Sequence, residues 1–269
     1  MELQDLLLII PIASIAGFLS GLLGIGGGLL TIPIIAYMLR SNFGDIEYLQ
    51  QTAIGTSFAI MVLTALSSAV THNRNGNINW NIVKKMTFPI ILGTALGAFI
   101  SPYIRSDYLQ ILFILFIYYV AIKSIINLKN QNQVIRELTS SKIKLAGLGT
   151  GLLSSWLGIG GGSIFVPFFL HYNIDIKKSL GTSAALGFPI ALVGVMIYIV
   201  AGLEYTSILP KHSLGFMYWP YFMGLAIPTI IFAPLGAKAN AISNPKLLKV
   251  FFVLLLLTIG TKMMCDLIH

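Results

Sequence analysis

The chain has 269 residues, of which 56% are apolar and 10% charged, against about a quarter charged in a soluble domain. That much apolar surface excludes an aqueous fold, and long apolar runs without alternating polarity exclude a transmembrane β-barrel. The excess of 17 Lys and Arg over 9 Asp and Glu therefore bears on membrane topology before nucleic acid, and the single cysteine, Cys265, offers no disulfide framework or thiolate metal site.

In chain order, apolar segments are predicted at 6–39, 52–71, 83–104, 109–128, 143–172, 179–202, 219–239 and 247–268. Most are about twenty residues long, enough for a helix to cross roughly 30 Å of hydrocarbon with its backbone groups satisfied internally. The first is preceded by acids at Glu2 and Asp5, where a secretory signal carries Lys or Arg, so it is expected to remain as a membrane segment. The most polar interior stretch, KNQNQVIRELTSSK at 129–142, follows the fourth segment. It divides the chain into a first repeat at 1–128, a linker at 129–142 and a second repeat at 143–269.

The two parts carry the same landmarks in the same order. GFLSGLLGIGGGLLTIP at 17–33 aligns with GLLSSWLGIGGGSIFVP at 151–167, with ten of seventeen positions identical. AIGTSFA at 53–59 matches SLGTSAA at 179–185. Trp80, Pro89, Leu96, Gly97 and Ala98 match Trp219, Pro228, Leu235, Gly236 and Ala237 at an offset of 139.

As continuous helices, the glycine-containing segments would be about 50 and 45 Å long, too long for one simple crossing. Three consecutive glycines each cost about 1 kcal/mol relative to alanine, so each helix is expected to break there. If each segment turns at GIGGG and returns to the side it entered from, each half has a re-entrant helix pair plus three transmembrane helices, and the halves are inverted. The charges discriminate between the two arrangements. Eight simple crossings split the 17 basic residues ten to seven, whereas re-entrant pairs gather thirteen on the linker's side and leave Arg40, Arg105, Lys211 and Lys262 on the other. By the positive-inside rule the linker is then cytoplasmic and both termini lie outside. The expected fold is all-α, a polytopic helical membrane protein of two inverted repeats.

A helix break at membrane depth exposes backbone N–H groups at the start of the second half-helix, and these donors plus the positive end of the helix dipole suit an anion. The candidates are Gly26, Gly27 and Gly28 in the first half and Gly160, Gly161 and Gly162 in the second. The two GTS triplets add the hydroxyls of Thr56, Ser57, Thr182 and Ser183. The competing explanation is that the glycines only permit close helix crossing and that the hydroxyls bond within their own helices. All nine carboxylates lie in connectors or near segment ends. Cation pumps and proton relays place carboxylates inside the membrane, so an anionic or neutral substrate is favoured. Lys123 and Lys262 hold equivalent places late in the last helix of each half and are expected to snorkel to the interface rather than touch substrate. The four histidines lack metal-ligand spacing and no membrane-embedded serine has an evident base, so no metal, cofactor or enzyme activity is expected. The chain has no GxxxxGK[ST] motif, which leaves a gradient or a partner as the energy source.

The paired GLLGIGGG and SWLGIGGG segments followed by proline, then GTS, then proline with LGA, resemble the sulfite exporter TauE/SafE family over nearly the whole chain. The resemblance implies a transporter of the bacterial cytoplasmic membrane for sulfur-containing anions such as sulfite or organosulfonates. Sulfur enters from the resemblance alone; the residues themselves supply an anion-friendly helix break. A non-transporting membrane scaffold or regulatory subunit, with the glycines serving packing, is the alternative. The first half departs from simple symmetry, since the stretch 33–55 is eight residues longer than 167–181.

Overall fold

A computed structural model describes residues 3–23, 27–126, 139–242 and 245–268. Gly26 and most of the 129–142 linker lie outside the described residues. Ten helices account for nearly all of the rest: α1 (Leu3–Leu23), α2 (Gly28–Phe43), α3 (Leu49–Arg74), α4 (Trp80–Ile100), α5 (Ser106–Ile126), α6 (Ser140–Leu157), α7 (Gly162–His171), α8 (Ile176–Gly202), α9 (Trp219–Ile242) and α10 (Pro245–Ile268). A short antiparallel hairpin, β1 (Ser213–Leu214) and β2 (Met217–Tyr218), precedes α9. The sequence reading contains no strand there.

Local chemistry sets the helix ends. The Asn79 side chain accepts from the Ile82 N–H at 3.3 Å to start α4, and Asp175 accepts from the Lys177 N–H at 2.9 Å to start α8. Gly158, with φ of 60°, closes α6 in the left-handed conformation that favours glycine. The second glycine-containing segment is therefore divided at the motif, with α6 ending at Leu157 and α7 beginning at Gly162; in the first, α1 is described as far as Leu23 and α2 begins at Gly28. Five helices among the described residues are long and apolar enough to cross a membrane. By contrast, α2 with 16 residues and α7 with 10 rise only about 24 and 15 Å, short of the hydrocarbon thickness.

The packing crosses between the halves. α1 lies against α9 and α6 against α4, while α3 packs on α8 and α5 on α10. Glycines allow the two crossed pairs to touch backbone to backbone. A Cβ on Gly17 would sit 2.7 Å from Thr229 Cα, and one on Gly151 would run into the Ile90 carbonyl. Gly17 aligns with Gly151, and Ile90 with Thr229, so the same contact is made twice. The contacts also give directions. Gly93 and Gly97 of α4 meet Leu148 and Leu152 of α6, so these run parallel, as do α1 and α9 through Ile9 with Gly224 and Gly17 with Thr229. In α3 and α8, Gly55 meets Tyr198, Phe58 meets Gly194 and Ala65 meets Gly187, an antiparallel pair. α3 is the central element, with residues 49–61 all buried, whereas Leu115, Ile122, Ile227 and Ile231 are exposed on α5 and α9, as suits lipid contact.

Candidate functional site

The two glycine breaks meet. Gly28, at the start of α2, faces the carbonyl of Gly158, and a Cβ there would also lie 2.9 Å from Ile159 Cα. On the other side of the second break, Gly158 faces Ile32 of α2 and Ile54 of α3, and Gly160 faces Met61 Sδ. Residues 27, 28 and 158–161 are all buried. Gly161 packs under the ring of its own helix's Phe165, while Gly27 has space around it, with Thr31 Cγ2 and Thr64 Oγ1 each 4.0 Å from a Cβ added there.

Each break opens a helix N-terminus at this junction. The N–H groups of Leu30 and Thr31 return to the Gly27 carbonyl, and those of Ile164 and Phe165 return to Gly161. Among the described residues, the amides of Gly28, Leu29 and Gly162 have no backbone acceptor, as first-turn donors do. Thr31 Oγ1 and Ser57 Oγ lie 2.8 Å apart, both buried. Thr31 also approaches the Gly27 carbonyl at 3.1 Å, so the pair ties α3 to the first break. The equivalent of Thr31 in the second half is Phe165. Ser183, the equivalent of Ser57, has accordingly lost that partner: its Oγ is buried and unpaired among the described residues.

The GTS threonines do something else. Thr56 Oγ1 donates to the Thr52 carbonyl at 2.7 Å and accepts the Tyr218 N–H at 2.9 Å. Thr182 Oγ1 accepts the Asn79 N–H, also at 2.9 Å. Asn79 and Tyr218 are separated by the repeat offset of 139. Gly55 and Gly181 make the matching approach, facing the carbonyls of Phe216 and Asn77, again 139 apart. Each GTS triplet thus holds the connector that leads into the fourth helix of the opposite half. Because α3 and α8 are antiparallel, the triplets lie at opposite ends of that pair. Ser57 is level with residue 195 of α8, twelve residues from Ser183, or about 18 Å along the helix.

The structure therefore brings together Gly27, Gly28, Ser57, Gly160 and Gly161, with Gly162 one residue beyond, and sets Ser183 about 18 Å from Ser57 along the α3–α8 pair. Thr31 and Tyr198 are the participants that sequence reasoning missed. The Tyr198 hydroxyl is buried within 2.8 Å of both Ser101 Oγ and the Ser155 carbonyl, bracing α8 against α6 and the end of α4. The repeat counterpart of Thr31 is Phe165, which carries no hydroxyl, so the duplication does not single Thr31 out. Lys123 is drawn to its neighbour Tyr119 at 3.0 Å and Lys262 to the Tyr37 ring. Neither touches the glycine junction.

Comparison with known proteins adds ancestry to this geometry. Residues 9–263 match the family described as sulfite exporter TauE/SafE. A probable membrane transporter protein of Haemophilus influenzae is 35% identical over 259 residues, covering 96% of this chain and 97% of its own. A probable membrane transporter protein of Methanocaldococcus jannaschii is 28% identical over 97% of both chains, and the Bacillus subtilis protein YdhB, with the same description, is 29% identical over 80% of this chain and 87% of its own. No solved structure matches the chain at a significant level.

Proposed function

Since the chain belongs to the sulfite exporter TauE/SafE family, we propose that it is a secondary membrane transporter for small sulfur-containing anions of the sulfite or organosulfonate class, working by alternating access. The observation that carries the proposal is the junction of the two breaks. Two helix N-termini open at one buried point, and Gly28, Leu29 and Gly162 offer amide donors there. Helix dipoles and unsatisfied N–H groups favour negative charge, more so away from water. An anion entering the junction must part Gly28 from Gly158, and the Ser57 hydroxyl is placed to replace its bond to Thr31 with one to the anion.

The halves 1–128 and 143–269 are inverted in this reading, with both termini outside the cytoplasmic membrane. The directions of the packed helices support it: α4 runs parallel to α6 and α1 to α9, whereas the equivalent helices α3 and α8 run antiparallel, as an inverted duplication requires. Ser57 and Ser183 then serve the anion in succession, one towards each face, since about 18 Å separates them along the helix pair. Thr56 and Thr182 contribute by holding the connectors.

One observation favours the packing alternative: Gly28 and Gly158 touch without an intervening cavity. Flux separates the two readings. Proteoliposomes carrying the protein should take up labelled sulfite or a short sulfonate above empty vesicles and exclude a cation control, and Gly27→Leu together with Gly161→Leu should abolish uptake in protein that stays folded. Wild-type flux in that variant, or transport of cations alone, overturns the proposal.

A further inference from the structure

Lys262 stands outside the glycine junction, in a setting of its own. A cleft of about 330 Å³ opens between α1, α2 and α10. Its floor is apolar, formed by Ile12, Pro33, Ile34 and Ile259; towards the ends of α2 and α10 the lining changes to Ser41, Asn42, Lys262 and Asp266. On α2 the lining residues fall at 33, 34, 37, 38, 41 and 42, a single helical face rising about 14 Å. Both helices turn from apolar to polar in the same direction. The cleft is thus an amphipathic slot along the helix axes, with its polar mouth at the helix ends where a bilayer has its interface.

The mouth carries one charge of each sign, one helical turn apart. Lys262 Nζ rests 3.5 Å from the centroid of the Tyr37 ring, which is 52% exposed. Among the described residues the ion pairs are Arg40 with Asp45 and Arg105 with Asp107, and neither Lys262 nor Asp266 has an ion-pair partner among them. Arg40 adds a donor to the Asp266 backbone carbonyl rather than to its carboxylate.

We propose that this cleft binds a zwitterionic membrane phospholipid, with the phosphate on Lys262, the headgroup ammonium towards Asp266 and an acyl chain along Ile34 and Ile259. A phosphate on the ammonium is a charge-assisted contact, and the ring beneath holds the lysine in place for it. The chain floor supplies burial, as acyl anchoring requires. This site is independent of the anion junction.

Native mass spectrometry of the full chain, released from detergent with phosphatidylethanolamine or diacylglycerol added, tests the assignment. Phosphatidylethanolamine adducts should persist on the wild type, and diacylglycerol, which lacks the phosphate, should not. Ile34→Trp, which fills the floor, and Lys262→Gln should each lower occupancy about tenfold, Lys262→Arg should restore it, and Asp266→Lys should shift the preference to phosphatidylglycerol. Unchanged thermal unfolding of each variant separates loss of the site from loss of the fold. Equal adducts in wild type and Ile34→Trp, equal retention of diacylglycerol, competition by inorganic phosphate alone, or a second copy of the chain on the slot would overturn it.

Discussion

Replacing Gly28 by alanine tests the junction of the breaks most directly. The added Cβ runs into the Gly158 carbonyl and lies 2.9 Å from Ile159 Cα. Both obstacles are backbone, so no side chain can swing aside and the two breaks must move apart. Overpacking of this kind costs about 1–3 kcal/mol, offset by at most about 1 kcal/mol of helix propensity gained. A net loss of about 1–2 kcal/mol corresponds to roughly 2–8 °C in the unfolding midpoint of a chain this size. Gly27→Ala is the control. Gly27 has ordinary helical φ and ψ of −60° and −33°, and its new Cβ would have 4.0 Å to its nearest neighbours, so its midpoint should stay within about 2 °C. Thermal unfolding of the detergent-solubilised proteins, followed by intrinsic tryptophan fluorescence, supplies the comparison. If Gly28→Ala and Gly27→Ala unfold together, the backbone contact between the halves is not what holds the junction.

Thr56→Val should expose the buried Tyr218 amide to loss of its acceptor, destabilising the protein by about 1–3 kcal/mol and raising hydrogen exchange at Tyr218, while Thr56→Ser keeps both. The same pair of changes at Thr182 should act on the Asn79 amide at the other end of the molecule. Ser183→Ala removes a buried hydroxyl that bonds to nothing described, so stability should hold or rise by up to about 1 kcal/mol while sulfite flux in proteoliposomes falls. Flux equal to wild type would remove Ser183 from the anion path. For topology, a membrane-impermeant maleimide applied to intact cells should label a cysteine placed at His269 in a Cys265→Ser background, and should label one at Ser141 only after permeabilisation; the reverse order would refute the assigned orientation.

The helical class and the break of the second glycine segment were legible because each is written in local sequence: apolar length and glycine cost. The roles within the site were not. Thr56 and Thr182 look like free hydroxyls in an apolar helix, yet their partners are backbone amides 162 and 103 residues away, and a backbone amide has no sequence signature. The same holds for Gly55 and Gly181, whose missing Cβ admits a carbonyl from the opposite half. The β1–β2 hairpin is not written in the sequence, since two-residue strands are too short to show alternation and Gly215, with φ of 54°, is its one strong turn residue. Ser57 and Ser183 are equals in sequence, and the fold sets Thr31 beside one and not the other.

The crossed pairing of α1 with α9 has a consequence for how the molecule is made. Gly17 and Thr229 touch backbone to backbone although roughly 210 residues separate them. At about 5–20 residues per second of synthesis, α1 waits some 10–40 s in the bilayer before its neighbour exists, with its Gly17 face turned to lipid or the insertion machinery. α6, by contrast, finds α4 already in place when it emerges. The late closure of α1 on α9 gives the first helix the longest wait for its partner, and a ribosome stalled before α9 would leave it as the exposed surface by which quality control recognises an unfinished chain.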